Sequence, residues 1–208
     1  MKRLLLILFF LPLFCFSQQF IQGNSVSVDS NGLILYGSAT VWDDLFFPFT
    51  TGTNGGNTYP TFSADSMVWR FVTDTTGPSQ CIQYFCVQLP HSWKQGSTVF
   101  PHVHYKYTTS QGVPQFRVKY KWMSVSGTTS VAWKWYILNA NTGTTNKSHQ
   151  MNYRVTGISG SGQTISSILV CQVYLYSQTG TGGIDAYQFD IHFEKDGLGS
   201  PKEVYKPY

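Results

Sequence analysis

Apolar and polar residues alternate strictly in two stretches of the chain. In residues 116–122, Phe116, Val118, Tyr120 and Trp122 alternate with Arg117, Lys119 and Lys121. In residues 187–193, Tyr187, Phe189, Ile191 and Phe193 alternate with Gln188, Asp190 and His192. Successive side chains of a strand point to opposite faces, so each stretch predicts a strand with one buried face and one wet or interfacial face. Three further runs, 81–89, 131–138 and 165–176, are apolar on both faces. They suit strands held between two sheets or between a sheet and a partner subunit. Residues 98–108 and 151–158 add two strands, and residues 26–29 and 33–36 flank Asn31-Gly32, a hairpin turn signal.

Clusters of Gly, Thr, Ser and Asn separate these runs at 51–57, 75–79, 139–146, 159–162 and 179–183, and no stretch sustains a helical period. Residues 50–63, polar and rich in Gly and Thr around Pro60, read as a long surface loop. Short, regularly spaced strands with such turns predict an all-β fold, an antiparallel β-sandwich of the jelly-roll kind. No repeat or linker divides it, so one domain is expected over residues 18–208.

The segment before that domain has a different character. Lys2 and Arg3 precede an apolar run over residues 4–16 that only Pro12 interrupts, and Cys15 and Ser17 place small residues where a signal peptidase reads. Residues 1–17 are therefore expected to be a signal peptide, cleaved before Gln18; a retained hydrophobic anchor is the competing reading. The run is shorter than the roughly 20 apolar residues of a comfortable span.

The formal charge of +4 falls to +2 without Lys2 and Arg3, and no basic run exists. A nucleic-acid surface would need one, so nucleic acid is excluded as a partner. Only 12% of the residues are charged, against the usual quarter or so. Cys81, Cys86 and Cys171 remain after position 17, an odd number that allows at most one internal bridge. Cys81 and Cys86 share one strand, so a bridge would have to involve Cys171; three reduced, buried thiols are the alternative.

Candidate chemistry concentrates in residues 88–105, which hold His91, His102 and His104, three of the five histidines. His102 and His104 stand two apart on a strand and share a face. Asp190 and His192 form a second polar stripe on the 187–195 strand. If the two strands were neighbours, His102, His104, His192 and Asp190 could converge as a nitrogen and oxygen ligand set for zinc, nickel or iron. A hydrogen-bonded polar stripe without metal is the alternative, and a symmetry axis crossed by the His-x-His pair is a third.

Other constellations are thin. Asp43-Asp44 would point its carboxylates to opposite faces of a strand, and Gly160-Ser161-Gly162 lacks the strand-to-helix setting of a hydrolase nucleophile. No phosphate loop or dinucleotide motif occurs, so no enzyme activity is expected. Aromatics make up 16% of the chain. Trp133 and Trp135, on one strand face, and Trp93 are candidates for stacking on a glycan or filling a subunit interface.

Several motifs in order resemble an uncharacterised family found in phage genomes and environmental viral sequences. They are Val41-Trp42-Asp43-Asp44-Leu45 with Pro48, then Gln88-Leu89-Pro90-His91 with Trp93, Lys94 and Gly96, then Pro101-His102-Val103-His104-Tyr105. Gly160-Ser161-Gly162 with Thr164-Ile165-Ser166-Ser167, and Phe189-Asp190-Ile191-His192-Phe193, complete the set, which covers most of 41–200. The resemblance implies a virion-associated β-sandwich, a head or fibre appendage without enzyme activity. The signal-like start departs from most phage structural proteins and leaves room for a host-encoded, exported relative.

The expected function is thus a non-enzymatic virion structural or decorating protein that self-associates with itself and with other virion proteins. A trimer is the expected assembly, because runs 131–138 and 165–176 carry more apolar faces than one small sandwich covers. The alternative is a secreted, glycan-binding β-sandwich module of a bacterial cell surface.

Overall fold

Strand alternation translates directly into two stacked antiparallel sheets. The structure is a computed structural model and describes residues 26–29, 32–35, 40–57, 60–64, 66–73, 81–107, 114–125, 132–139, 149–178, 183–200, 202 and 204–206. The signal-like segment 1–17 lies outside the described residues. Among the described residues, no helix is long and apolar enough to cross a membrane.

One sheet runs in the order β10 (Lys134–Ile137), β9 (Gln115–Met123), β12 (Ile168–Ser177), β7 (Ile82–Gln88), β4 (Thr53–Gly55). The other runs β11 (Gln150–Tyr153), β8 (Val99–Tyr107), β13 (Ile184–Lys195), β6 (Val68–Phe71), β5 (Thr61–Ser63). A further strand, β3 (Val41–Pro48), lies along the same side of β13 as β6: β6 pairs with residues 184–186 and β3 with 188–195. From β6 to β13 the chain visits the sheets so that β6-β13-β8-β11 faces β7-β12-β9-β10. That order, two interleaved four-stranded layers, is the jelly roll. A separate hairpin joins β1 (Val26–Asp29) and β2 (Gly32–Leu35). Its pairing of Asp29 with Gly32 starts the second strand one residue earlier than the turn signal suggested.

The core is where the inner faces meet. Phe85, Val87, Phe116, Val118, Leu169, Val173 and Leu175 from one sheet pack on Val103, Tyr105, Ala186, Phe189, Ile191 and Phe193 from the other. Phe85 meets Phe189 across the layers with ring centroids 5.1 Å apart. Each buried Val, Leu, Ile or Phe among them contributes roughly 1.5–3 kcal/mol. Phe116, Val118 and Trp122 point inward as their alternation requires, with Tyr120 partly buried against the same core.

Two expectations need correction. Residues 50–63 are not one loop: a 3-10 turn at Phe49–Thr51 is followed by β4 on one sheet and β5 on the other. Phe49 anchors the crossing, fully buried against Phe71 and Phe85. In 187–193, Tyr187 does not join Phe189, Ile191 and Phe193 inside. The β13–β8 register slips between Ala186 and Gln188. Such a bulge turns two consecutive residues outward. Ala186 takes the inward place, and Tyr187 and Gln188 both reach the outer surface.

The surplus apolar faces of 131–138 and 165–176 are partly covered by the chain itself. Val131 lies outside the described residues, and Trp133 precedes the strand rather than belonging to it. On the outer face of β12, Tyr174 is buried with Trp135 edge-on at 6.0 Å, and the Arg117 guanidinium lies 3.2 Å from the Tyr176 ring centroid. Lys119 and Lys121 cover Trp133, and Lys119 also covers Trp135.

Among the described residues, Cys81, Cys86 and Cys171 form no disulfide. Cys171 points into the core and Cys86, one strand away, points out, because Cys86 stands opposite Val170 and not opposite Cys171. Cys81, just before β7 and four residues ahead of Phe85, the partner of Cys171, is also buried. Burial pushes the Cys171 thiol far above the usual thiol range, and neighbouring Cys86 adds to this. A thiol reagent should therefore modify Cys86 in the native protein and reach Cys81 and Cys171 only in denaturant, which peptide mapping after labelling reads directly.

Candidate functional site

The outer face of β3-β13-β8-β11 carries an open trough of about 1050 Å³. Its floor comes from two strands in register. Asp190 of β13 stands directly opposite His102 of β8, and Gln188 stands opposite His104. The two strands are therefore neighbours, as convergence of the histidines and Asp190 required.

The side chains meet closely. His104 Nε2 is 3.0 Å and His102 Nε2 3.4 Å from Asp190 Oδ2. Gln188 Nε2 donates to the same oxygen at 2.9 Å. One ligand atom from each of His102, His104 and Asp190 lies within 4.8 Å of the others. Burial works to raise the Asp190 carboxyl, but the hydrogen bonds from His102, His104 and Gln188 outweigh it and hold the group down at about 2. The carboxylate is thus kept charged beneath the histidines.

His192 does not join this group. It lies on the same face, but Asp44 of β3 stands opposite it, and His192 Nδ1 meets Asp44 Oδ1 at 2.9 Å. Its ring stacks on Trp42 with centroids 4.9 Å apart. The β3 strand thus draws His192 away from the floor and toward the rim. In its place stands His149, which pattern reading missed. His149 directly precedes β11, whose Gln150 pairs with Tyr105 beside His104. His149 Nε2 lies 2.6 Å from His104 Nδ1, and the rings stack.

A departure in the sheet opens the trough. β11 pairs Tyr153 with His102, and contact with β8 resumes only where Ile158 bridges Val99. Residues 154–157 arch out opposite Phe100 and Pro101. Pro101 has no N–H to donate, and it occupies the part of a central strand where the neighbour has left. Arg154 and Val155 of the arch form one wall. Gly157 brings the chain back; a Cβ there would lie 2.4 Å from the Val99 carbonyl oxygen.

The walls are apolar and wet. Phe46 is 63% exposed and Val155 75%. Trp42 and Tyr153, about half exposed, continue the same surface.

The remaining candidates serve the framework. Trp93 is fully buried and stacks on Trp122 at 6.1 Å, so it cannot contact a glycan. Trp135 is exposed at 48% and Trp133 half-buried, both under Lys119. His91 is clamped, with Nδ1 2.8 Å from the Ser200 carbonyl oxygen and Nε2 2.8 Å from Ser166 Oγ. Asp43 pairs with Lys195 at 2.9 Å while Asp44 holds His192.

No family model matches the chain, and no curated protein matches it. Among solved structures it is similar to the Eiger TNF from S. frugiperda, at 9% identity, covering 78% of this chain and 97% of that one with a TM-score of 0.31. So slight a likeness carries no functional argument, and the fold assignment here rests on strand order.

Proposed function

We propose that the protein is a non-enzymatic, self-associating jelly roll that serves as a virion structural or decorating protein. The observation that carries this reading is the apolar wall of the trough. Single exposed apolar side chains are ordinary, but Phe46, Tyr153 and Val155 line one hollow and Trp42 stacks on His192 beside it, which marks a contact surface. A second copy of the chain is the proposed occupant, in a head-to-tail contact that closes into a trimer. The outer faces of β10 and β12, with their own cationic covers, contribute less to this than their sequence suggested. Absence of catalysis is supported by the engagement of His91, Asp43 and Asp44 in structural pairs.

Light scattering at micromolar concentration should give the mass of a trimer, and Phe46→Ser with Val155→Ser should lower it without unfolding the chain. A wild-type monomer would overturn the self-association. Detection of the protein in purified phage particles by mass spectrometry tests the virion role.

A secreted glycan-binding role is the second reading. The aromatic rim of Trp42, Tyr153 and Tyr187 above polar Gln188 and Arg154 favours it, since sugars stack on rings and hydrogen-bond to such groups. Saturable quenching of Trp42 fluorescence by a soluble polysaccharide, lost in Trp42→Ala, would select it over the first.

A further inference from the structure

We propose that His102, His104 and Asp190 hold one divalent transition-metal ion of the zinc class, with its fourth position open to the trough. The inference does not rest on docking of a second copy: a monomer that binds one ion would retain this site and lose that reading.

The first support is geometric. Bonds of about 2.0–2.1 Å around a tetrahedral ion place neighbouring ligand atoms about 3.3–3.4 Å apart. The separations of Asp190 Oδ2 from His104 Nε2 and His102 Nε2, 3.0 and 3.4 Å, span that value. Little rearrangement would be needed along those two edges. The cross-strand pairing of Asp190 with His102 and the same-face spacing of His104 fix the three groups on rigid backbone.

The second support is an imbalance on the carboxylate. Asp190 is only 2% exposed, and its Oδ2 faces His102, His104 and Gln188 together. Its Oδ1 is buried with no hydrogen-bond partner among the described residues. A buried carboxylate oxygen left in that state is costly. A cation at the site would compensate the charge that both oxygens share.

The third support lies in what holds the rings. His102 Nδ1 lies 3.4 Å from the Phe100 carbonyl oxygen, which accepts from an N–H there and leaves Nε2 to coordinate. His104 Nδ1 meets His149 Nε2 at 2.6 Å, so the ring of His104 is fixed from behind while its Nε2 faces Asp190. His149 acts as a positioning residue. Two imidazoles with one carboxylate favour zinc, iron(II) or nickel over calcium or magnesium, which prefer all-oxygen shells.

The test uses protein purified without a histidine tag, stripped with chelator and titrated with Zn²⁺ against a chromophoric chelator. One Zn²⁺ per chain is expected, with a higher melting temperature and no competition from Ca²⁺. Co²⁺ should give the visible absorption of a low-coordinate site. His102→Ala and His104→Ala should each remove stoichiometric binding and the cobalt band. His149→Ala should weaken binding by about 10–100-fold, and His192→Ala should leave it unchanged. Circular dichroism verifies that each variant is folded; if Asp190→Asn does not fold, the two histidine variants carry the test. Sub-stoichiometric binding to folded wild-type protein would overturn the proposal. So would binding that survives the His102→Ala/His104→Ala double variant, equal competition by Ca²⁺, or loss in His192→Ala as large as in His104→Ala.

Discussion

Replacing Trp93 with alanine should destabilise the protein by about 3–5 kcal/mol, the range for removing a large aromatic side chain from a core. Trp93 is fully buried, one face stacked on Trp122, in a turn that starts at Pro90 and bridges to Lys195 at the end of β13. Gly160 lies against the indole so closely that a Cβ would sit 2.6 Å from Trp93 Cζ2 and 2.2 Å from the Ser97 carbonyl oxygen. Neighbours this tight on fixed backbone cannot collapse into the space the ring leaves, which puts the cost toward the upper end. The indole N–H has no hydrogen-bond partner among the described residues. Trp93→Phe therefore gives up packing but removes a buried, unpaired donor, and should cost less than the alanine variant. Urea denaturation followed by circular dichroism measures both. A loss below about 1 kcal/mol for Trp93→Ala would contradict a core role of this kind.

Asn152→Leu should be comparably damaging although leucine has nearly the same size. Asn152 lies fully buried on β11 and joins the margins of both sheets. Its amide nitrogen donates to the carbonyl oxygens of Pro114, at 3.1 Å, and of Asn139, while its Oδ1 accepts from the Phe116 N–H at 3.2 Å. Leucine would leave the Phe116 N–H and the Pro114 carbonyl buried without this partner, each worth about 1–3 kcal/mol, while the Asn139 carbonyl, on an exposed residue, would turn to solvent. The expected loss is about 3 kcal/mol or more. Asn152→Asp keeps the acceptor for Phe116 but sets a carboxylate against two carbonyls, so it should not rescue. A thermal or urea melt of either variant that matches wild type would show that these groups find other partners.

Legibility in the sequence followed the reach of each physical signal. The inward set of β9 could be read because alternation is a property of neighbouring residues. The pairing of Asp190 with His102 was readable only as a condition, since it depends on β8 and β13 lying side by side. The outward turn of Tyr187 was hidden: a bulge is a defect in register between two strands, and one strand's alternation contains no trace of it. His149 was invisible for a related reason. It follows a Gly- and Thr-rich stretch with no period, and only the β11–β8 pairing brings it beside His104. Tryptophan content alone did not separate the buried Trp93 from the exposed Trp135. The short strands β4 and β5 were missed because their pairing partners, and not their own three residues, make them strands.

The position of β13 has a consequence for how the chain is made. β3, β6 and β8 each use β13 as a partner, on one side or the other. During synthesis those segments exist long before residues 184–195 do. Until the last strand arrives, the sheet that bears the trough lacks its central member, and Leu45, Phe71 and Val103 have no finished layer to pack on. Closure of so many distant pairings at the end makes for slow folding and a long interval of exposed apolar strands.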